Sequence, residues 1–366
     1  MKVSIARGTL LEALSTVSRA LSSRTTLPIL SGIYLSSQGD KVVFQATDLE
    51  ISIKTSATAR VEEAGQSVVP GKLLTDIIRS LPEAAVTIDT SQPGTATISC
   101  GQSNFTIKTL SAEDYPRFPE VEPTDTITLP TEVFSHVVHQ VSRSVSRDET
   151  RPVLTGILVI VDSGMLKMVA TDSYRLCVRE VAVEGVVGDI ELVVPGKAME
   201  DIAKLVGSSQ TISLGVSENQ VVFSFGDTTF ISRRIEGSFP NYRQLLPKEY
   251  TTRAVVDRAE LLEAVKRVSL MAQHNTPLRV RISSSDHTLT LSANTQDVGD
   301  ATEDIQVTPE GEDVEIAFNH GYLLDGVAIS ESDTVAIEVT SPLKPGVLKP
   351  AEGDGFVYLL MPVRLG

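Results

Sequence analysis

The chain contains no tryptophan, two cysteines and five histidines in 366 residues. Cys100 and Cys177 give neither a disulfide framework nor a cysteine metal cluster, so each is expected to be a small buried apolar residue. His136, His139, His274, His287 and His320 are scattered, without the spacing of metal ligands. No glycine-rich phosphate loop and no nucleophile elbow occurs. No metal, no cofactor and no enzymatic activity are therefore expected. No apolar run approaches the roughly 18 residues of a membrane span, and Met1 to Leu14 mixes charges among its apolar residues, unlike a signal peptide. The chain reads as cytoplasmic. Positive charge is also short: 32 Lys and Arg against 47 Asp and Glu give a net charge of −15. That excludes a protein clinging to nucleic acid with its whole surface, but not DNA along one locally basic face.

What is present is repetition. Val68-Val69-Pro70-Gly71-Lys72 and Val193-Val194-Pro195-Gly196-Lys197 each read as a strand end, a Pro-Gly break and a short amphipathic helix, 125 positions apart. A fainter third copy runs from Ile316 to Ile329, where Asp325 answers to Asp201 and Asp76. A second helix pattern recurs too: Leu10 to Leu21, Phe134 to Val145 and Leu261 to Val268 carry apolar residues at helical spacing, with Val17, Val141 and Val265 each 124 apart. A proline and a strand are expected after each, at Pro28, Pro152 and Pro277. Strands such as 42–46 and 221–225 have β-branched and aromatic content. The chain thus reads as α+β, three similar units with two helices on an antiparallel sheet in each. Polar, proline-containing stretches place the boundaries so that the domains are 1–122, 123–248 and 249–366.

With one helix face on a sheet, the other is expected to be free. His136, Gln140, Arg143 and Arg147 share such a face, as do Lys72 with Arg79 and Lys197 with Lys204; Arg19, Lys266 and Arg267 add further cations. Acids intrude at Glu12, Asp76, Glu132, Glu200 and Asp201, so the potential is mixed and suits loose, sequence-independent phosphate contact. Asp48 with Glu50, and Asp172 with Arg175, could be taken for a carboxylate set, but their recurrence at equivalent strand ends, with Asp297 in the third unit, favours a structural role.

An ordered set of short motifs runs the length of the chain: Met1-Lys2-Val3, Arg24-Thr25-Thr26-Leu27-Pro28-Ile29-Leu30, Thr47-Asp48-Leu49-Glu50, the two Val-Pro-Gly-Lys helices, Ala170-Thr171-Asp172-Ser173-Tyr174-Arg175-Leu176, Phe239-Pro240-Asn241-Tyr242 and Met361-Pro362-Val363-Arg364-Leu365. Together they resemble the bacterial replicative sliding clamps, the β subunits of DNA polymerase III. The resemblance implies the DNA clamp fold and a head-to-tail homodimer closing a six-domain ring around double-stranded DNA. The partners it implies are the replicative polymerase, the clamp loader, and other polymerases and repair proteins carrying clamp-binding peptides.

Residue by residue, the resemblance places the peptide pocket at Leu154, Thr171, Tyr174, Arg175, Leu176, Pro240, Leu245, Met361, Pro362, Val363 and Arg364, with Arg151 and Gly346 at its edge. It places the dimer contact at Phe105 and Ile107 against Leu270 and Met271, with Asp297, Asp300, Glu303 and Asp304 as acidic partners. Gln102 and Asn104 depart from the basic residues familiar there. For DNA it points to Arg24, while Arg79 and Lys197 follow from their helix faces. A scaffold of three α+β repeats that ignores DNA is the competing reading; it predicts no effect of DNA topology on retention.

Overall fold

The computed structural model describes residues 1–22, 26–183, 189–207, 209–272 and 276–364. The helices come in three pairs: α1 (Arg7–Val17) with α2 (Gly71–Ser80), α3 (Thr131–Ser142) with α4 (Gly196–Leu205), and α5 (Arg258–Ser269) with α6 (His320–Ile329). All strand pairing is antiparallel. The chain divides into two compact units, residues 1–135 with 201–234 and residues 136–200 with 235–366.

The first unit holds two sheets. One has five strands in the order Arg60–Glu63, Lys2–Ala6, Ala85–Asp89, Thr95–Cys100 and Ser103–Lys108. The other has eight, and its two halves come from different repeats. Asp125–Pro130, Thr211–Val216, Gln220–Phe225 and Thr228–Arg233 belong to the second repeat; Ile51–Thr58, Lys41–Thr47, Gly32–Gln38 and Gln66–Pro70 belong to the first. The seam is the pairing of Thr228–Arg233 with Ile51–Thr58, where Phe230 lies opposite Ile53 and both are fully buried. Each such side chain contributes roughly 1.5–3 kcal/mol by leaving water.

The second unit repeats the plan. Its nine-stranded sheet joins Ile190–Pro195, Gly156–Asp162, Met165–Thr171 and Arg175–Ala182 of the second repeat to Phe356–Leu360, Gly346–Pro350, Thr334–Val339, Thr252–Asp257 and Thr308–Gly311 of the third. The seam pairs Arg175–Ala182 with Phe356–Leu360 and sets buried Tyr358 opposite buried Cys177. A four-stranded sheet, Gly299–Gln306, Thr288–Thr295, Leu278–Ser283 and Val314–Phe318, completes the unit. Among the edge strands of the four sheets, Ser103–Lys108 stands in the repeat position of the seam strands Thr228–Arg233 and Phe356–Leu360, and Gly299–Gln306 in that of Ile51–Thr58 and Arg175–Ala182.

The Val-Pro-Gly-Lys motif has a packing cause. A Cβ on Gly71 would come within 2.6 Å of Leu21, and one on Gly196 within 2.8 Å of Val145, so only glycine lets the second helix start against the residue that follows the first. The third repeat reverses the sizes: Ser269 stands where Leu21 and Val145 stand, and His320 where the glycines stand. There Asn319 caps α6 through the Tyr322 amide, 3.1 Å away.

Three expectations change. Pro28 and Pro152 do not enter strands but open short 3-10 turns, Pro28–Ser31 and Pro152–Thr155, because proline has no amide hydrogen to give a sheet and a φ suited to a first helical position. Only Pro277 directly precedes a strand. The polar face of α3 is not free: Gln140 is 2% exposed and donates to the Ile329 carbonyl, His136 meets Glu331 and Arg143 meets Asp325, while Arg147 lies beyond the helix end. Asp297 is not the counterpart of Asp172. Among the non-glycine residues with positive φ, Leu49 (77°), Ser173 (78°) and Asp297 (65°) are spaced by 124, which puts Gln296 opposite Asp172.

Candidate functional site

The carboxylate sets are turn geometry. Asp48 Oδ1 accepts the amides of Glu50 and Ile51 at 2.9 and 2.8 Å, and Asp172 Oδ1 accepts those of Tyr174 and Arg175 at 2.9 and 3.0 Å. Thr47 and Thr171 close the same loops by donating to Ile51 O and Arg175 O. Both aspartates spend one oxygen on backbone donors, which is what an Asx-stabilised turn requires. Among the described residues no cluster of three or more His, Cys, Asp or Glu could hold a metal. Burial pushes the Cys177 thiol up, away from thiolate reactivity.

The turn at Asp172 has a second consequence, because it fixes where Tyr174 and Arg175 go. Tyr174 stands 60% exposed, with its ring stacked on Tyr322 of α6 at 6.4 Å between centroids. Arg175 is largely buried beside the same ring. Its Nε donates to Asp172 Oδ2 at 3.1 Å, its Nη1 to Asp325 Oδ2 at 2.5 Å, and its guanidinium lies 4.4 Å from the Tyr322 ring centre. Burial alone would lower its pKa, but the Tyr358 hydroxyl and the two carboxylates overcome that and hold it charged. Tyr358, its own pKa raised by burial, donates to the Tyr322 carbonyl at 2.9 Å. The second and third repeats are thus locked together beneath one exposed tyrosine.

The C-terminal segment runs past that tyrosine. The Met361 amide donates to Tyr174 O at 2.9 Å and the Val363 amide to Ala317 O at 2.8 Å. Met361 and Val363 are left 40% and 36% exposed, with Pro362 half-buried between them. On the other side, Leu176 shares a buried cluster with Tyr242, Leu158, Val169 and Leu359, and Phe239 and Leu246 pack against it. The short turn Tyr242–Gln244 presents Leu245 at 47% exposure, and Pro240 is exposed before it. Leu154 and Thr171 are buried. Arg151 donates to Ser173 Oγ at 2.9 Å, tying its loop to the same turn, and Arg364 is exposed at the end of the described chain. Gly346 is buried; a Cβ there would sit 2.5 Å from the Phe318 ring, so it makes room for packing rather than lining a surface.

The exposed apolar side chains are thus Tyr174, Met361 and Val363 along the C-terminal segment, and Pro240 and Leu245 beside the buried cluster that holds Leu176. Exposed apolar side chains over a packed floor have the chemistry to take up the hydrophobic anchors of a short extended peptide. The supporting residues Tyr322 and Tyr358 escape a reading of the sequence alone, and Tyr242 shows only as the end of the motif Phe239-Pro240-Asn241-Tyr242. The one signal for Asp325 was its match to Asp201 and Asp76.

The residues expected at a dimer contact fall on the two open strands and beside them. Phe105 is 36% exposed and Ile107 half-buried on Ser103–Lys108; Leu270 is 76% exposed and Met271 half-buried just after α5. Asp300, Glu303 and Asp304 lie on Gly299–Gln306 and Asp297 precedes it. Within the chain Glu303 already grips Arg267 through both oxygens, and Asp304 accepts from Thr290. Gln102 and Asn104 are exposed. Of the residues expected at DNA, Arg79 is 61% exposed and pairs with Asp76 at 3.2 Å, Lys197 is exposed on α4, and Arg24 lies outside the described residues.

Comparison with known proteins gives a consistent answer along the whole chain. The family models of the DNA polymerase III beta subunit match in three parts: N-terminal domain at residues 1–119, central domain at 128–241 and C-terminal domain at 243–364. The Beta sliding clamp of Streptomyces coelicolor is 38% identical over 100% of both chains. That of Staphylococcus aureus is 33% identical over 100% of this chain and 99% of its own. Among solved structures, the DNA polymerase sliding clamp of Bacillus subtilis superposes with a TM-score of 0.95 at 29% identity, covering 100% of each chain. The DNA polymerase III subunit beta of Pseudomonas aeruginosa does so at 0.93 and 27%, again over 100% of each. The α+β repeats with shared antiparallel sheets are the DNA clamp fold, and the chain belongs to the DNA polymerase III beta subunit family of bacterial sliding clamps.

Proposed function

We infer that the chain is a DNA polymerase processivity factor that encircles duplex DNA without reading its sequence. Three clamp domains, 1–122, 123–248 and 249–366, make half a ring, and two copies joined head to tail make the whole. The observation that carries this reading is the pairing rule of the sheets. Thr228–Arg233 of repeat two pairs with Ile51–Thr58 of repeat one, and Phe356–Leu360 of repeat three pairs with Arg175–Ala182 of repeat two. Applied once more, the rule pairs Ser103–Lys108 with Gly299–Gln306, which hold the corresponding places in repeats one and three and are edge strands of their sheets among the described residues. Phe105 holds the place of Phe230 and Tyr358, both fully buried at the internal seams, yet it is 36% exposed. A heterologous contact of this kind closes when the rotation per copy allows it.

In this reading the patch around Tyr174 and Met361 receives peptides of the replicative polymerase, the clamp loader and other polymerases and repair proteins. Arg24, Arg79 and Lys197 touch the phosphates loosely. The protein works in the cytoplasm and catalyses nothing itself; tethering is its whole contribution. The ring is tested by solution mass. Light scattering is expected to give twice the chain's 39.3 kDa, and Phe105→Ala to weaken the dimer about thirtyfold, the cost of a buried aromatic anchor. A wild-type monomer, or a variant dimer as tight as wild type, would contradict it.

A further inference from the structure

The same repeat symmetry assigns a contact that the strand edges do not show. At the internal seam of the first unit, Arg19, just after α1, meets Asp201 of α4 with Nη1 2.6 Å from Oδ1. At that of the second unit, Arg143, just after α3, meets Asp325 of α6 at 3.3 Å. In both, the end of one repeat's first helix is pinned to the middle of the next repeat's second helix. The arginines are 124 apart and the aspartates 125 and 124 apart, so the series continues. Its third members are Arg267, in the last turn of α5, and Asp76, in the middle of α2.

We propose that Arg267 of one copy pairs with Asp76 of a second copy of this chain, closing the ring on its helical layer. This rests on the head-to-tail reading above and deepens it. Both groups are accessible and incompletely used. Among the described residues Asp76, 53% exposed, is held by Arg79 through one oxygen; Arg267 is 57% exposed and gives its Nε and Nη2 edge to Glu303, leaving Nη1 for another carboxylate. Arg175 shows the same chain using one guanidinium on two aspartates.

A second, independent observation points to the same surfaces. Leu73, three residues before Asp76, is 47% exposed, whereas Ala198 at the corresponding place on α4 is 2% exposed. Leu270, three after Arg267, is 76% exposed, whereas Ser146 in the corresponding place is 6% exposed. At both places the exposed residue is an apolar one on the side of the seam that lacks its other half, and the buried counterpart lies at an internal seam. The pair also supplies charge complementarity that the neutral Gln102 and Asn104 do not.

The test is a double-mutant cycle on the dimer dissociation constant, measured by sedimentation velocity at low salt. Arg267→Gln and Asp76→Asn are each expected to weaken the dimer about fivefold, the upper range for a partly exposed pair. The double variant is expected to lose about fivefold as well, not the roughly twenty-five-fold of independent sites. Multiplicative losses, or no loss from Asp76→Asn, would overturn the pair while leaving the wild-type dimer, and so the ring, standing. A wild-type protein that sediments as a monomer would overturn both.

Discussion

Arg175 shows why the candidate site is rigid. A guanidinium in a half-buried place costs desolvation, and here two carboxylates, a tyrosine hydroxyl and an aromatic face offset it. Its Nε and Nη1 are committed in that arrangement, which ties the Asp172 turn to α6. Binding energy must come from the exposed side chains above it. Tyr174→Ala combined with Met361→Ala is accordingly expected to weaken a labelled clamp-binding peptide of the replicative polymerase at least tenfold by fluorescence anisotropy, with the dimer mass unchanged. Unaltered affinity would move the peptide site elsewhere. The exposed members of this patch are legible only through the ordered motifs, because Met361 or Leu245 taken alone reads as core. Tyr322 and Tyr358 are not legible at all. A tyrosine in a short helix or strand carries no mark of the arginine from a distant segment that will stack on it.

At the scale of elements, the six helices are plain in the sequence because apolar spacing is local and repeats at 124 positions. The sheets are only half plain. Alternation identifies a strand but not its neighbour, so nothing in Thr228–Arg233 or Ile51–Thr58 announces that two repeats share one sheet. The polar face of α3 misleads for the same reason: His136, Gln140 and Arg143 look solvated until α6 is set against them. Another non-local tie is Tyr115. It is 8% exposed, stacks on Tyr34 at 5.5 Å and donates to Gly32 O at 3.2 Å, pinning the segment after Ser103–Lys108 to the eight-stranded sheet. Burial pushes its pKa up to about 12. Above pH ~10 the unfolded chain loses this proton while the folded one keeps it, so stability falls as pH rises through that window. At pH 11 the loss is about 1.4 kcal/mol. Denaturant unfolding of Tyr115→Phe is expected to show a shallower decline between pH 10 and 12; an unchanged slope would show that the phenol does not carry it.

For the whole molecule the deciding quantity is charge. The net charge is −15, and several of the cations on the helices are already spoken for: Arg19 by Asp201, Arg143 by Asp325, Arg267 by Glu303 and Arg79 by Asp76. A surface so neutralised makes few phosphate contacts, and each contact made gives up affinity as salt rises. Processivity then has to come from topology rather than affinity, which is the central claim. The measurement that tests it most directly is retention on DNA of defined form. The protein is loaded onto a nicked circular plasmid with a clamp-loader preparation and gel-filtered, and the plasmid is then cut once. The account predicts that protein stays with the circles and leaves within minutes of linearisation. Protein held equally by circle and line would be bound by contacts alone, and the ring would be wrong.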